Sequence, residues 1–418
     1  MSLADPHKKR NALSLHIPEP ASRPGVQPNF SELGIPPAGT CPRPDVDVAA
    51  SEIRDLAFGM VRVLDDEGGA VGPWNPGLNA DFLRSGLRAM MLTRAYDERM
   101  VRVQRQGKSS FYMKSTGEEA VAVAAAMALD KDDMCFPTYR QQGLLVAREW
   151  PLREMMNQVY SNSGDLLKGR QMPVFYSSRK ARFFSISGNL GTQYSQAVGW
   201  AMASAASADT RISSAWIGDG ATAEGDFHYA LTFASVYRAP TILNIVNNQW
   251  AISSFMGFAG GEATTFAARG LAYGLPALRV DGNDFLAVFA VTQWAAERAR
   301  ANLGATVIEL FTYRADAHST SDDPARYRSA GEKEVWPLGD PIVRLADHLT
   351  ALGEWDADRH AALAEELAAH VRAEGKASEA LGTLGQGPQH DRTTMFDDVY
   401  KKLPPHLVRQ RAQMLEGN

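Results

Sequence analysis

Residues 215–248 read AWIGDGATAEGDFHYALTFASVYRAPTILNIVNN, in which an apolar strand, a turn, a helix and a second apolar strand follow one another. The first strand runs into a Gly-Asp-Gly turn centred on Asp219, and the second ends in Asn247-Asn248. Twenty-six residues separate Gly220 from Asn247, about the length of a crossover helix plus a strand. The pattern therefore predicts two parallel strands whose carboxyl ends carry Asp219 and Asn248, where open α/β sheets bind ligands.

The same alternation of strand and helix continues on both sides of this segment. It predicts an α/β fold with a mainly parallel sheet and helices on both faces. Before it, a helix is expected from the N-cap Asn79 onward, and a buried alanine-rich helix over Gly117–Leu129. The predicted strands are 211–218, 240–248 and 305–313, and the predicted helices between them are 226–238 and 284–302.

Composition divides the chain into three regions. Residues 1–78 contain many prolines, which exclude regular helix, and are predicted to form an extended arm with one short strand at Met60–Leu64. Residues 79–340 form the predicted α/β domain, which would hold the ligand site. Residues 341–418 are charged and periodic, and predict a helical tail.

The net charge, the length of the apolar runs and the cysteine pattern exclude several classes of protein. The 418 residues carry a net charge of only −5, which gives no reason to expect nucleic acid or an acidic membrane as a partner. No stretch approaches the roughly 18 consecutive apolar residues of a membrane-spanning helix. The two cysteines, Cys41 and Cys135, show no metal-binding or disulfide pattern. The first 15 residues lack a secretion or transit signal, so a bacterial cytoplasm is favoured over the mitochondrial matrix.

Two oxygen ligands at the carboxyl edge of the sheet suit a small hard cation. Asp219 would supply a carboxylate and Asn248 a side-chain carbonyl, while the backbone carbonyl of Trp250 would add a third ligand. Magnesium prefers octahedral oxygen coordination and usually shares its shell with a phosphate. The segment thus predicts a magnesium site that a diphosphate completes.

Two other interpretations of the turn stay open at this point. Gly218-x-Gly220-x-x-Ala223 also fits the loose dinucleotide fingerprint. Against it, Asp219 would place a carboxylate beside a pyrophosphate, and Asn248 stands where an acidic ribose ligand is expected. A purely structural turn followed by an Asn-rich loop is the other alternative.

Several motifs in order resemble the α subunits of thiamine-diphosphate-dependent 2-oxo acid dehydrogenases, and most of all the branched-chain (2-oxoisovalerate) type. The similarity runs from Ser109 to Arg328. It implies the thiamine-diphosphate-binding fold, decarboxylation of a 2-oxo acid, and acyl transfer to a lipoyl group. The motifs that carry it are FYMKSTGEEA (111–120), FPTYRQQG (136–143), GDLLKGRQMPVFY (164–176), SISGNLGTQYSQAVG (185–199), GDGATAEGDF (218–227), NIVNNQWAIS (244–253), RVDGNDFLAV (279–288) and TYRADAHSTSDDPARYR (312–328).

The resemblance also implies roles for individual residues. The cofactor would be bound by Tyr139, Arg140, Gly188, Leu190, Asp219, Gly220, Ala221, Asn248, Arg314 and His318, and His318 would also be catalytic. Magnesium would be held by Asp219, Asn248 and Trp250; a monovalent cation such as K⁺ by Ser187, Asn189, Thr192 and Gln193; and the substrate by Phe111 and Tyr139. Thr138 stands where relatives often have Gln, and Val246 where some have Arg, which leaves the anchoring of the diphosphate open.

Partners follow from the same resemblance. The family needs a second domain, which carries a glutamate that activates the cofactor, and this chain has no sequence for it after residue 340. We therefore expect a β subunit, an α2β2 tetramer, a lipoyl-bearing acyltransferase core and branched-chain 2-oxo acid substrates. A pyruvate or acetoin dehydrogenase α subunit and a non-catalytic scaffold remain the alternatives. The polar loop from Arg314 to Arg328 is expected to be mobile without ligand.

Overall fold

The computed structural model describes residues 13–417, so the start of the predicted arm and most of the segment inspected for a targeting signal lie outside the described residues. The strands are β1 (Met134–Phe136), β2 (Ser213–Gly218), β3 (Thr241–Asn247), β4 (Trp250–Ala251), β5 (Ser254–Phe255), β6 (Ala277–Asp281) and β7 (Thr306–Phe311). Five of them form a parallel sheet in the order β1-β2-β3-β7-β6, and β4 and β5 form an antiparallel hairpin.

Eleven α-helices surround the sheet in the described part of the chain. They are α1 (Ala80–Arg105), α2 (Glu119–Ala128), α3 (Gln142–Ala147), α4 (Leu152–Tyr160), α5 (Thr192–Ala206), α6 (Gly225–Val236), α7 (Ala268–Leu271), α8 (Phe285–Arg300), α9 (Pro341–Ala351), α10 (Ala357–Glu379) and α11 (Pro405–Glu416). The predicted α/β class, with its mainly parallel sheet and its helices on both faces, is confirmed.

The register of the sheet brings its carboxyl ends into line. Gly218 of β2 pairs with Val246 of β3, and Asn247 of β3 pairs with Phe311 of β7. The residues that follow these strands therefore emerge at the same edge. Strands β2, β3 and β7 are buried almost throughout, as expected where helices cover both faces of a parallel sheet.

Two hydrophobic cores lie on opposite faces of the sheet. On one face, α5 packs against β2 and α6 packs against α5, with side chains such as Tyr194 and Phe227 in this core. On the other face, α8 lies on β3 and β6, with α2 and α1 behind it. Helix α2 is short and rich in alanine, which lets α8 approach it closely. This second layer supports the loop that precedes α2.

Helix α1 begins where the sequence predicts it. The side chain of Asn79 accepts a hydrogen bond from the backbone N–H of Phe82 at 2.9 Å, which satisfies one of the free donors at the helix start. The helix places an apolar stripe, including Leu83, Leu87 and Met90, in the main core.

The prediction of a strand at Met60–Leu64 is wrong. That segment makes only isolated bridges, Val61 with Val280 and Leu64 with Ala70, because it runs beside the edge strand β6 for a single residue pair. Two side chains of the segment, Val61 and Val63, are nevertheless buried in the main core. The arm thus packs onto the domain within the described residues.

The tail is helical, as predicted. Helices α9 and α10 pack on α1 and α4, and α10 adds Leu367 and Val371 to the main core. Helix α11 has no buried residue. The division of the chain at residues 78 and 340 stays a prediction. None of the helices in residues 13–417 is both long and apolar enough to cross a bilayer.

Candidate active site

A cavity of about 510 Å³ opens at the carboxyl ends of β1, β2 and β3. It brings together most of the side chains that the sequence singled out. Those that line it are Phe111, Tyr139, Arg140, Ser187, Gly188, Leu190, Gln193, Asp219, Gly220, Ala221, Asn248, Trp250 and His318. Asn189, Thr192 and Arg314 are not among the lining residues. Thr138 and Val246, the two departures from the family pattern, do line it.

Asp219 is the buried carboxylate of the site. Its Oδ2 has no hydrogen-bond partner within residues 13–417, although the side chain is almost fully buried. Burial raises the pKa of Asp219 to about 7, opposed by a backbone hydrogen bond at Gly220 and by the charge of Arg314. A Cβ at Gly220 would lie 2.5 Å from the Cβ of Ala251, so the turn requires glycine there. An unpartnered buried carboxylate oxygen suits a bound cation.

The side-chain amide of Asn248 is held from two sides. Its Nδ2 donates to Oε1 of Glu118 at 2.7 Å, and its Oδ1 accepts from the backbone N–H of Trp250 at 3.3 Å. The carbonyl oxygen of Trp250 accepts from Nη1 of Arg314 at 2.9 Å and keeps a second lone pair. With the free Oδ2 of Asp219, these are the oxygen donors that magnesium prefers, so the residues present fit that ion.

Arg140 holds His318 in one orientation. The Nη2 of Arg140 donates to the backbone oxygen of His318 at 2.6 Å and lies 2.9 Å from Nδ1 of its ring. Because a guanidinium can only donate, Nδ1 must be the acceptor, and the proton of the neutral ring is on Nε2. Burial, together with the charges of Arg140 and Arg314, lowers the pKa of His318 to about 3. The imidazole is therefore neutral at physiological pH.

Arg314 is buried beside the cavity and anchors its wall. The guanidinium donates to the carbonyls of Trp250 at 2.9 Å and Ile252 at 2.8 Å, and to the hydroxyl of Tyr327 at 2.7 Å. Burial lowers the pKa of Arg314 to about 10. Its donors thus hold the loop that carries Trp250. Arg328 in turn donates to the carbonyl of Arg314 at 2.6 Å, which fastens the ends of the 314–328 loop together. Whether ligand changes the mobility of this loop stays a prediction.

One wall of the cavity is apolar and aromatic. The rings of Tyr139 and Phe175 lie parallel with centroids 6.2 Å apart. Phe111, Met113 and Met172 extend this wall. Phe175 follows Val174, whose φ of 64° is an unusual left-handed conformation for a β-branched residue. The surrounding contacts thus impose a strained backbone at the residue that precedes the stacked ring.

The loop at Ser187–Gly191 forms part of the cavity rim beside Phe175, since a Cβ at Gly188 would lie 3.4 Å from that ring. The Oγ of Ser187 accepts from the N–H of Asn189 at 3.1 Å, and the Oγ1 of Thr192 donates to the carbonyl of Asn189, also at 3.1 Å. Within the described chain, the buried Oε1 of Gln193 has no partner. Leu190 is 50% exposed although it is large and apolar.

Glu118 is the polar residue that the sequence analysis missed. It lines the cavity, is almost fully buried, and lies between Asn248 and Arg140, whose Nε is 3.9 Å from Oε1 of Glu118. Burial raises its pKa, and the charge of Arg140 and the hydrogen bond from Asn248 oppose that rise. The sequence did contain a signal for it, the pair Glu118-Glu119 at the start of a helix predicted to be buried. Glutamates are almost never fully buried unless they have a partner, so this pair indicated specific contacts.

Comparisons with known proteins agree with this geometry. The profile of the dehydrogenase E1 component family matches residues 87–385, and that of the N-terminal region of 2-oxoisovalerate dehydrogenase E1 α subunits matches residues 11–51. The chain is 60% identical to the 2-oxoisovalerate dehydrogenase subunit α of Pseudomonas aeruginosa, over 96% of this chain and 98% of that protein. It is 38% identical to the human mitochondrial protein of that name, over 85% and 79%, and 35% identical to subunit α 1 of Arabidopsis thaliana, over 85% and 74%. The chain therefore belongs to the 2-oxoisovalerate dehydrogenase α subunits, within the dehydrogenase E1 component family.

Proposed function

We propose that this chain is the α subunit of the decarboxylating component of a branched-chain 2-oxo acid dehydrogenase complex. The component would catalyse oxidative decarboxylation of the 2-oxo acid and reductive acylation of a lipoyl group. The observation that carries the proposal is the convergence of Asp219, Asn248, Arg140 and His318 on one cavity at the carboxyl edge of a parallel sheet. Relatives named 2-oxoisovalerate dehydrogenase subunit α, similar over most of the chain, support the substrate class.

The cavity would hold thiamine diphosphate and Mg²⁺. Oδ2 of Asp219, Oδ1 of Asn248 and the carbonyl of Trp250 would bind the cation, and Tyr139 and Arg140 would face the diphosphate. Gly220 and Ala221 allow close approach of the backbone, and Gly188 and Leu190 would contact the pyrimidine end. When bound, thiamine diphosphate supplies a carbon nucleophile and an electron sink for decarboxylation.

His318 would act on the reacting atoms through its Nε2–H. Since Arg140 occupies the Nδ1 side, the ring offers a hydrogen bond from Nε2 as negative charge develops on the substrate. With burial holding its pKa at about 3, the ring is neutral and gives a hydrogen bond from Nε2 without losing that proton. A K⁺ ion at Ser187, Asn189, Thr192 and Gln193 would fix the rim loop, and the unpartnered Oε1 of Gln193 supports that proposal.

A β subunit would complete the site in an α2β2 tetramer. Among residues 13–417 there is one five-stranded sheet and no second sheet domain of similar size. Apolar side chains at the mouth of the cavity are about half exposed: Met172 (49%), Leu190 (50%) and Ile252 (54%). Exposed apolar groups around a pocket indicate a protein surface that covers them. We further propose that an acyltransferase core carries the lipoyl group that accepts the acyl group. We also propose that the enzyme is located in a bacterial cytoplasm.

The apolar wall supports a branched acyl group as substrate. Phe111, Met113, Met172 and Phe175 together offer an apolar surface on which a branched aliphatic chain would bury more area than a methyl group. One methylene is worth only about 1–3 kcal/mol in such a pocket, so the preference over pyruvate is one of degree.

The proposal is tested by decarboxylation assays on the α chain co-expressed with its β subunit. We expect turnover of 3-methyl-2-oxobutanoate that requires added thiamine diphosphate, is abolished by EDTA and returns with Mg²⁺. Turnover that ignores both additions would contradict the assignment of the cavity. Cofactor binding without any turnover would support a scaffold instead.

A further inference from the structure

We infer that Glu118 is a positioning residue, which sets the orientation of the Asn248 side-chain amide so that its oxygen faces the cation. This inference rests on the proposed function, because it concerns the same magnesium site. Asn248 has an oxygen and a nitrogen of nearly equal size, so only its neighbours decide which atom points where. The wrong orientation would present two N–H donors to the metal.

The neighbours of Asn248 define one orientation only. A carboxylate can only accept, so Glu118 requires the NH2 group of Asn248 on its side, at the observed 2.7 Å. The backbone N–H of Trp250 can only donate, so it requires the oxygen on the other side, at 3.3 Å. Rotating the amide by half a turn would set oxygen against carboxylate and N–H against N–H. Of the two, Glu118 makes the shorter and charge-assisted bond, so it contributes more to the choice.

Apart from its ion pair with Arg140, at 3.9 Å, no contact among the described residues accounts for Glu118 otherwise. It stands at the N-cap position of α2, yet its side chain makes no capping hydrogen bond. Arg140 does not depend on it, since that guanidinium is already held by the carbonyls of Lys114 and His318, both at 2.6 Å. Burying a carboxylate at 1% side-chain exposure costs stability, which orientation of a metal ligand would offset.

Glu119 is a matched control in the next position. It is equally buried, but it accepts from the Nε of Arg94 at 2.7 Å and from the N–H of Gly117 at 2.9 Å, and it does not line the cavity. Its contacts therefore hold the start of α2 against α1, away from the cavity lining. Loss of its charge should lower the melting temperature and leave the affinity for magnesium unchanged.

The test is calorimetric titration of Mg²⁺ into the metal-free αβ complex at a fixed concentration of thiamine diphosphate. Glu118→Leu should raise the Kd for Mg²⁺ about 10- to 100-fold, the usual effect of losing a partner that orients a ligand. Glu118→Gln keeps an acceptor without the charge and should raise it about fivefold, since charge-assisted bonds are roughly twice as strong as neutral ones. Excess Mg²⁺ should restore cofactor binding to both variants.

The outcomes separate this inference from the proposed function. Mg²⁺ affinities of Glu118→Leu and Glu118→Gln within twofold of wild type, or as little changed as that of Glu119→Gln, would overturn the positioning role. If Glu118→Leu does not assemble, the same criterion applies to Glu118→Gln alone. A wild-type complex whose cofactor binding does not need Mg²⁺ would overturn the proposed magnesium site itself.

Discussion

Replacing Asp219 by asparagine should weaken cofactor binding and, in the metal-free protein, stabilise the fold. The carboxylate is buried with one oxygen unpartnered, and its pKa is raised from 3.8 to about 7. Between those values the folded protein retains a proton that the unfolded chain has released, so stability falls as pH rises and is lowest above pH 7. At about 1.4 kcal/mol per unit, a shift of roughly 3 units amounts to about 4 kcal/mol.

Urea unfolding of the metal-free protein in EDTA measures this effect. Asp219→Asn should raise the free energy of unfolding by up to about 4 kcal/mol at pH 8, and the gain should shrink toward zero as the pH approaches 4. With Mg²⁺ and thiamine diphosphate present, calorimetry should show that the variant binds the cofactor at least about 100-fold more weakly. The effect is at the upper end because a charged metal ligand is lost, and not merely a residue that orients a ligand.

Asp284 provides the matched control. Its carboxylate is also buried, but it accepts from the N–H groups of Val63 (2.7 Å), Leu64 (2.6 Å) and Ala287 (3.0 Å). Asp284→Asn should therefore destabilise the protein and leave the affinity for magnesium unchanged. The reasoning about Asp219 would be refuted if Asp219→Asn were no more stable than wild type at pH 8, or if it kept magnesium-dependent cofactor binding.

His318→Ala should bind thiamine diphosphate nearly normally and lose about 100- to 1,000-fold in lipoyl acylation, the usual cost of removing a hydrogen-bond donor directed at developing charge; near-normal acylation would leave the histidine without a catalytic role. The purified α chain alone should not decarboxylate 2-oxo acids, and addition of the β subunit should restore turnover; wild-type rates without β would show that the chain holds a complete site. Phe175→Ala should remove the ring stacked on Tyr139 and lower kcat/KM for 3-methyl-2-oxobutanoate by about 10-fold or more, since it opens a void in the acyl wall; unchanged kcat/KM would place the acyl group elsewhere.

The strands that carry the site were predictable because their apolar runs are uninterrupted. Segments 211–218, 240–248 and 305–313 each contain the observed strand. Strand β6 was missed since it carries charge in its middle. The Nε of Arg279 lies 3.6 Å from Oε1 of Glu309 on the neighbouring strand β7, and its guanidinium stacks on the ring of Phe311. These contacts join distant parts of the chain, so the local sequence does not predict them.

In the site as well, local sequence predicted some residues but not the contacts between distant ones. The Gly-Asp-Gly turn and the paired asparagines predict oxygen ligands, because their spacing fits a crossover between parallel strands. Glu118 could not be assigned in this way, since its partner Asn248 is 130 residues away and the contact exists only in the folded chain. The resemblance assigns Arg314 to the cofactor, and in the structure its guanidinium donates to the carbonyls of Trp250 and Ile252. Which acceptors an arginine finds depends on backbone geometry that sequence spacing does not fix.

The apolar wall of the cavity predicts a preference for branched 2-oxo acids over pyruvate. The most direct measurement is kcat/KM of the reconstituted αβ enzyme for 3-methyl-2-oxobutanoate, its two branched homologues and pyruvate, under the same saturating thiamine diphosphate and Mg²⁺. We expect each branched substrate to exceed pyruvate by at least about 10-fold, as one or more buried methylenes contribute to the transition state. A higher kcat/KM for pyruvate would contradict the account and assign the chain to a pyruvate-type enzyme.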